Sequence, residues 1–170
     1  MHRVRLLIML TAGLLALALG IGVAVWYRSA PDATALLALS LPDTHGVEQP
    51  LAQWRGKVLV VNYWATWCGP CREEMPEFVR AQRDLGPQGV QFVGIAVDKP
   101  EPVAQFSKEL ELNYPALIGG NDAVELTRPL GNHLAALPFT VILDREGHIV
   151  YAQMGPFKSE QLRSIIGKII

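Results

Sequence analysis

The chain holds two cysteines, Cys68 and Cys71, in the run WATWCGPCREEMPEF from Trp64 to Phe78. Thiols at this spacing serve three chemistries: metal ligation, a structural cross-link, or reversible thiol–disulfide exchange. Structural zinc takes four ligands, usually from two such pairs. The four imidazoles, His2, His45, His133 and His148, stand at no ligand spacing, so no metal is expected. A structural bridge would close a loop of four residues, and short loops gain least from closure. Exchange fits the surroundings better. The preceding run KVLVVNYW, residues 57–64, is nearly all β-formers and reads as a strand covered on both faces. A helix is expected from about 68 to 85, closed by Gly86 and Pro87.

That arrangement sets Cys68 at a helix N-terminus, where free N–H groups and the helix dipole favour a thiolate. Cys68 is then the nucleophile. Cys71 lies one turn further in and resolves the mixed disulfide. Gly69 lets another backbone approach, and Pro70 stiffens the first turn without losing a needed hydrogen bond. No other cofactor is called for beyond this dithiol.

The elements that must hold the pair can be read in order. Residues 39–50 suggest two short extended pieces around a turn at 43–46, and 51–54 one helical turn. A second buried strand is expected over 90–98, a helix over 102–110, an extended piece over 114–118 and a helical piece over 123–130. Residues 139–144 and 148–154 flank Arg145-Glu146-Gly147 as a hairpin. Residues 159–170 form an amphipathic helix with Leu162, Ile165, Ile166 and Ile169 on one face. Strand–helix–strand order requires right-handed crossovers and parallel strands, and the hairpin adds antiparallel edges. The expected fold is α/β: a central mixed sheet sandwiched by helices, with an N-terminal extension of short strands.

Residues 6–27 carry no charge over 22 positions, roughly 33 Å as a helix, enough to cross a hydrocarbon core. Arg3 and Arg5 precede the run, which places the N-terminus inside and the remainder outside. A cleaved signal peptide has a shorter apolar core; Ala16-Leu17-Ala18 mimics its cleavage site, but the apolar run continues past it. The expected organisation is a transmembrane signal anchor in 1–28, a linker over 29–35 within a tether-like stretch reaching 38, and a catalytic domain over 36–170. In a bacterium this means a single-pass protein of the inner membrane with its domain in the periplasm. Beyond residue 28 the chain has 12 basic and 16 acidic residues and no Lys/Arg cluster, which argues against nucleic-acid binding.

Trp67-Cys68-Gly69-Pro70-Cys71 resembles the active-site motif of the thioredoxins. Pro76 is similar to the proline that kinks their active-site helix, and Ala136-Leu137-Pro138-Phe139-Thr140 resembles their cis-proline segment. With the leading extended pieces, GVQFVGIAVD and LPFTVILDREGHIV, residues 36–170 resemble the membrane-anchored TlpA/ResA-like members of this superfamily. The resemblance implies a thioredoxin-like fold and a Cys68–Cys71 redox-active disulfide. It implies substrate binding by Trp67, Gly69, Pro70, Leu137 and Pro138. It also implies a reductase of specific cysteine pairs, in cytochrome c maturation or metal-site assembly, fed by a membrane thiol-reductant conduit and working as a monomer. An oxidising compartment gives such a dithiol more use as a reductant.

Asn62 stands where thioredoxins keep a buried aspartate, and an amide cannot titrate. Glu74, three residues past Cys71 on the same helix face, is the candidate for proton transfer, and ResA-like members carry a functional glutamate there. The plainer reading is that Glu73, Glu74 and Glu77 solvate the helix. Two rival functions remain. A thiol peroxidase of the redoxin type would need a Thr three residues before its cysteine, whereas Thr66 is two before Cys68. A non-catalytic thioredoxin-fold binding module would have no use for an intact cysteine pair.

Overall fold

The computed structural model describes residues 33–170 and, from the N-terminal segment, Arg5, Thr11, Gly13, 15–18 and Gly20, all helical. The chain divides into two compact units, Met1–Pro31 and Asp32–Ile170. The anchor expected over 6–27 falls largely outside the described residues, among which no helix is long and apolar enough to cross a membrane.

The second unit runs α1 (Thr34–Leu37), β1 (Ser40–Pro42), β2 (Glu48–Pro50), β3 (Val58–Trp64), α2 (Gly69–Leu85), β4 (Val90–Ala96), α3 (Pro100–Glu109), β5 (Ala116–Ile118), α4 (Gly120–Glu125), β6 (Phe139–Leu143), β7 (Ile149–Met154) and α5 (Ser159–Ile166). Five strands form one sheet in the order β5-β4-β3-β6-β7, and β1 and β2 form a separate hairpin. The β3–β4 and β4–β5 pairs are parallel, while β3–β6 and β6–β7 are antiparallel. The mixed sheet follows from chain order: α2 and α3 carry the crossovers, and the tight turn at 145–147 permits only an antiparallel return.

The central strand β3 is buried at all seven positions, as its unbroken apolar run requires. Leu59, Val61 and Tyr63 face a cluster with Leu36, Leu37, Leu51 and Trp54. Val58 and Val60 face Phe78 and Val79 of α2 and Leu162 and Ile166 of α5. Helices α2 and α5 thus cover one face, and the N-terminal extension covers the other.

Four expectations change. The stretch 33–38, read as tether, contains α1, whose Leu36 and Leu37 are buried in the core; two leucines outweigh the absence of a clear period. The helical piece expected over 123–130 is α4 plus a separate 3₁₀ turn, Arg128–Leu130, because Pro129 has no N–H to continue an α ladder. Helix α3 begins at Pro100, with proline in the first turn, rather than at 102. The last helix stops at Ile166, where Gly167 caps it.

The two margins of the sheet differ. Along β5, Asp43 of the hairpin turn bridges to Leu117. At the other margin lies β7, whose residues alternate between half-buried and exposed, with Val150 and Met154 facing solvent.

Candidate active site

Strand β3 delivers the chain to the site at Trp64, and a short turn leads into α2. That turn is held from outside: Thr66 donates through its backbone N–H, at 3.3 Å, and through its hydroxyl to Oδ2 of Asp98. Asp98 follows β4, and its Oδ1 accepts from the Lys99 N–H at 2.8 Å. Partial burial pushes the Asp98 carboxyl up, but the Thr66 hydroxyl and the two N–H groups outweigh it and leave it below the usual range.

Cys68 is the N-cap of α2, with extended backbone. Its Sγ accepts from the Cys71 N–H at 3.3 Å, one of the donors that a helix N-terminus leaves without an intrahelical partner. Cys68 and Cys71 are joined in a disulfide, S–S 2.01 Å and Cα–Cα 5.3 Å. Cys71 is fully buried, while Cys68 retains 6% exposure. Around the pair, Trp67 is 69% exposed, and Gly69 and Pro70 are exposed too. Pro76 lies inside α2, and the Leu137–Pro138 bond is cis. Pro138 is buried, and Leu137 packs against the cluster that includes Cys68, Cys71, Trp64 and Met75. The structure therefore brings Leu137, 66 residues beyond Cys71, to the cluster that holds the cysteines.

Beneath the pair, Glu74 is 3% exposed. Its Oε1 accepts from Asn62 Nδ2 at 3.0 Å and its Oε2 from the Phe157 N–H at 2.8 Å. The Asn62 amide also donates to Thr140 Oγ1 at 3.0 Å. Burial pushes the Glu74 carboxyl up to about 7, although the Phe157 and Asn62 hydrogen bonds oppose the shift. A carboxyl that titrates near neutrality can give or take a proton one helical turn from Cys71. The reading of Glu74 as a solvating residue is thus corrected by its burial. Glu73 is exposed, and Glu77 pairs with Arg80 on the surface.

Sequence reasoning passed over Asp98, Thr140 and Phe157. Thr140 faces Asn62 across the β3–β6 register, so the hairpin alignment carried a signal for it. Phe157 acts through a backbone N–H, which leaves no side-chain signal. The Thr66 hydroxyl is spent on Asp98, which tells further against a peroxidase that would aim it at sulfur. Among the described residues no group of His, Cys, Asp and Glu could hold a metal ion.

A cysteine pair capping the helix that follows the central strand of such a sheet defines a thiol–disulfide oxidoreductase of thioredoxin-like fold. Residues 28–170 match the Redoxin family. A thiol-disulfide oxidoreductase ResA of Geobacillus kaustophilus is 30% identical over 169 residues, covering 95% of each chain. The ResA of Bacillus subtilis is 27% identical over 134 residues, covering 76% of this chain and 70% of its own. Among solved structures, a thiol:disulfide interchange protein of the thioredoxin family from Chlorobium tepidum superposes with a TM-score of 0.72. It is 25% identical and covers 82% of this chain and 95% of its own. The chain belongs to the Redoxin family, among its ResA-like thiol-disulfide oxidoreductases.

Proposed function

We propose that this oxidoreductase is a reductase of specific cysteine pairs in partner proteins. It is tethered by its N-terminal segment to the inner membrane of a bacterium and acts as a monomer in the periplasm. The observation that carries the reading is the asymmetry of the pair: Cys68 caps the helix and keeps a path to solvent, while Cys71 has none. In the reduced protein the Cys68 thiolate attacks a partner disulfide. A Cys68–partner S–S bond forms, and the partner's own S–S bond breaks to release one thiolate. Cys71, its proton passed to Glu74, then attacks Cys68 Sγ and releases the second partner sulfur. The partner gains two electrons and the protein is left as the Cys68–Cys71 disulfide. A membrane-held dithiol conduit restores the reduced form. Trp67, Gly69, Pro70, Leu137 and Pro138 receive the partner chain, and no cofactor beyond the dithiol is needed. Maturation of c-type cytochromes or assembly of a metal site would supply such substrates. A tether suits a protein whose donor also resides in the membrane, because it raises their effective concentration.

The test is a trap in intact membranes. Cys71→Ala should accumulate a mixed disulfide through Cys68, and Cys68→Ala should accumulate none. Identifying the captured protein names the substrate class. Equal capture by both variants, or by neither, would sink the reading.

A further inference from the structure

Asn62 is 1% exposed and spends both hydrogens of its amide. One goes to Glu74 Oε1 and the other to Thr140 Oγ1, each over 3.0 Å. Its carbonyl oxygen, Oδ1, is buried and meets no hydrogen-bond partner among the described residues. That pattern suits the ionised carboxylate, which only accepts. It does not suit the protonated carboxyl. Oε2 is committed to the Phe157 N–H, a backbone donor that cannot reverse. A proton on Oε1 would face the Asn62 N–H, donor against donor.

The other three groups can exchange roles while the backbone stays in place. A carboxyl gains or loses its proton, an amide turns end for end, and a hydroxyl rotates. Turning the Asn62 amide puts Oδ1 where Nδ2 stood. Its two lone pairs then accept from the Glu74 O–H and the Thr140 O–H. The contacts keep their positions and reverse their direction. In either orientation one end of the amide stays unpaired, so neither protonation state of Glu74 alone carries that penalty. We propose that Asn62 and Thr140 are a reversible pair of positioning residues that lets the buried Glu74 take up and give back the Cys71 proton. The Cys71 thiol loses the proton, Glu74 Oε1 gains it, and no electron moves. This use of the pair rests on the exchange function proposed above.

The titratable groups that face Glu74 are Cys71 and Tyr114. Cys71 lies on the same face of α2, and in the disulfide it has no proton to lose. Tyr114, ahead of β5, is buried, and desolvation together with the Glu74 charge holds its hydroxyl well above its ordinary value. Strands β3 and β6 present the neutral Asn62 and Thr140, and the segment before α5 presents a backbone N–H. In the oxidised protein Glu74 therefore titrates alone across neutral pH.

The experiment follows the full chain, oxidised, by NMR from pH 5 to pH 9, with isotope labels in the asparagine amides and glutamate carboxyls. At high pH the Asn62 amide protons should show a strong NOE to the Thr140 side chain. On acidification the NOE should fall several-fold, with the midpoint of the Glu74 carboxyl. Thr140→Val removes the acceptor that the ionised arrangement needs, while the reversed arrangement keeps its Glu74 O–H bond. The Glu74 midpoint should then rise by about one pH unit, a tenfold gain in proton affinity, and Thr140→Ser should restore it. A merely structural Thr140 would lower stability and leave the midpoint in place. An NOE of equal strength at both ends while the carboxyl titrates overturns the inference. So does a carboxyl that does not titrate in this range, or an unmoved midpoint in Thr140→Val. If Thr140→Val does not fold, the wild-type NOE decides alone. The Cys71→Ala trap reads exchange separately. Capture by a protein whose amide never turns overturns only the inference; a turning amide without capture overturns the exchange function and leaves the titrating pair standing.

Discussion

Glu74 is a carboxyl held by two neutral donors in a place where charge is expensive. Its neighbours make the ionised form tolerable without making it favoured, so its pKa rises from 4.5 to about 7. The sign of the stability effect follows. The fold prefers the protonated carboxyl, so the contribution is complete below about pH 4.5 and is lost as pH rises through about 7. The full span is on the order of 3 kcal/mol. Glu74→Gln resembles the protonated state and should flatten that dependence. Denaturant unfolding of the oxidised protein at pH 5 and pH 8 measures it: the wild type should lose more stability than the variant between the two. An identical change in both would remove Glu74 from the titration. The position of Glu74 was legible in sequence, since three residues along a helix share a face with Cys71. Its environment was not. The Phe157 donor is a backbone N–H 83 residues away, and no side-chain pattern encodes it.

At the scale of elements, the strand that leads to the cysteines meets β4 at Gly94. Asn62 pairs with Gly94 across the β3–β4 register. A Cβ at Gly94 would stand 2.8 Å from Trp64 Nε1, closer than the two atoms can approach. Trp64 is fully buried, meets the Phe106 ring at a tilt and belongs to the cysteine cluster, so the indole has little room to yield. Gly94→Ala should therefore cost about 1–3 kcal/mol, as overpacking does. A fall in thermal midpoint relative to wild type checks it, and an unchanged midpoint would show that the indole shifts freely. Long apolar runs and their turns made β3, α2, β4 and the hairpin readable. The short pieces were less so. Helix α1 is four residues long and has no room for a period to declare itself. Its burial comes from the sheet face it happens to cover. The loop around Asn132 was equally silent, because its order comes from one amide side chain bonding to its own neighbourhood.

At the scale of the molecule, the boundary between the two units makes a graded prediction. Removing residues 1–31 takes away the first unit and should leave the unfolding free energy of the second unchanged. Removing 1–38 also deletes the buried Leu36 and Leu37 and should cost roughly 3 kcal/mol or more. Denaturant midpoints of the two truncated proteins distinguish the cases; equal midpoints would show that α1 contributes nothing. The sheet margins carry a different consequence. The β5 margin has the hairpin turn bridged to it through Asp43, while the β7 margin keeps its outer backbone groups for any strand that arrives. Growth of a continuous sheet through many chains needs two free margins on every chain. With the β5 margin occupied at Leu117 by the hairpin turn, edge-to-edge association through β7 finds no equally open margin on the far side, which favours a pair over a fibre.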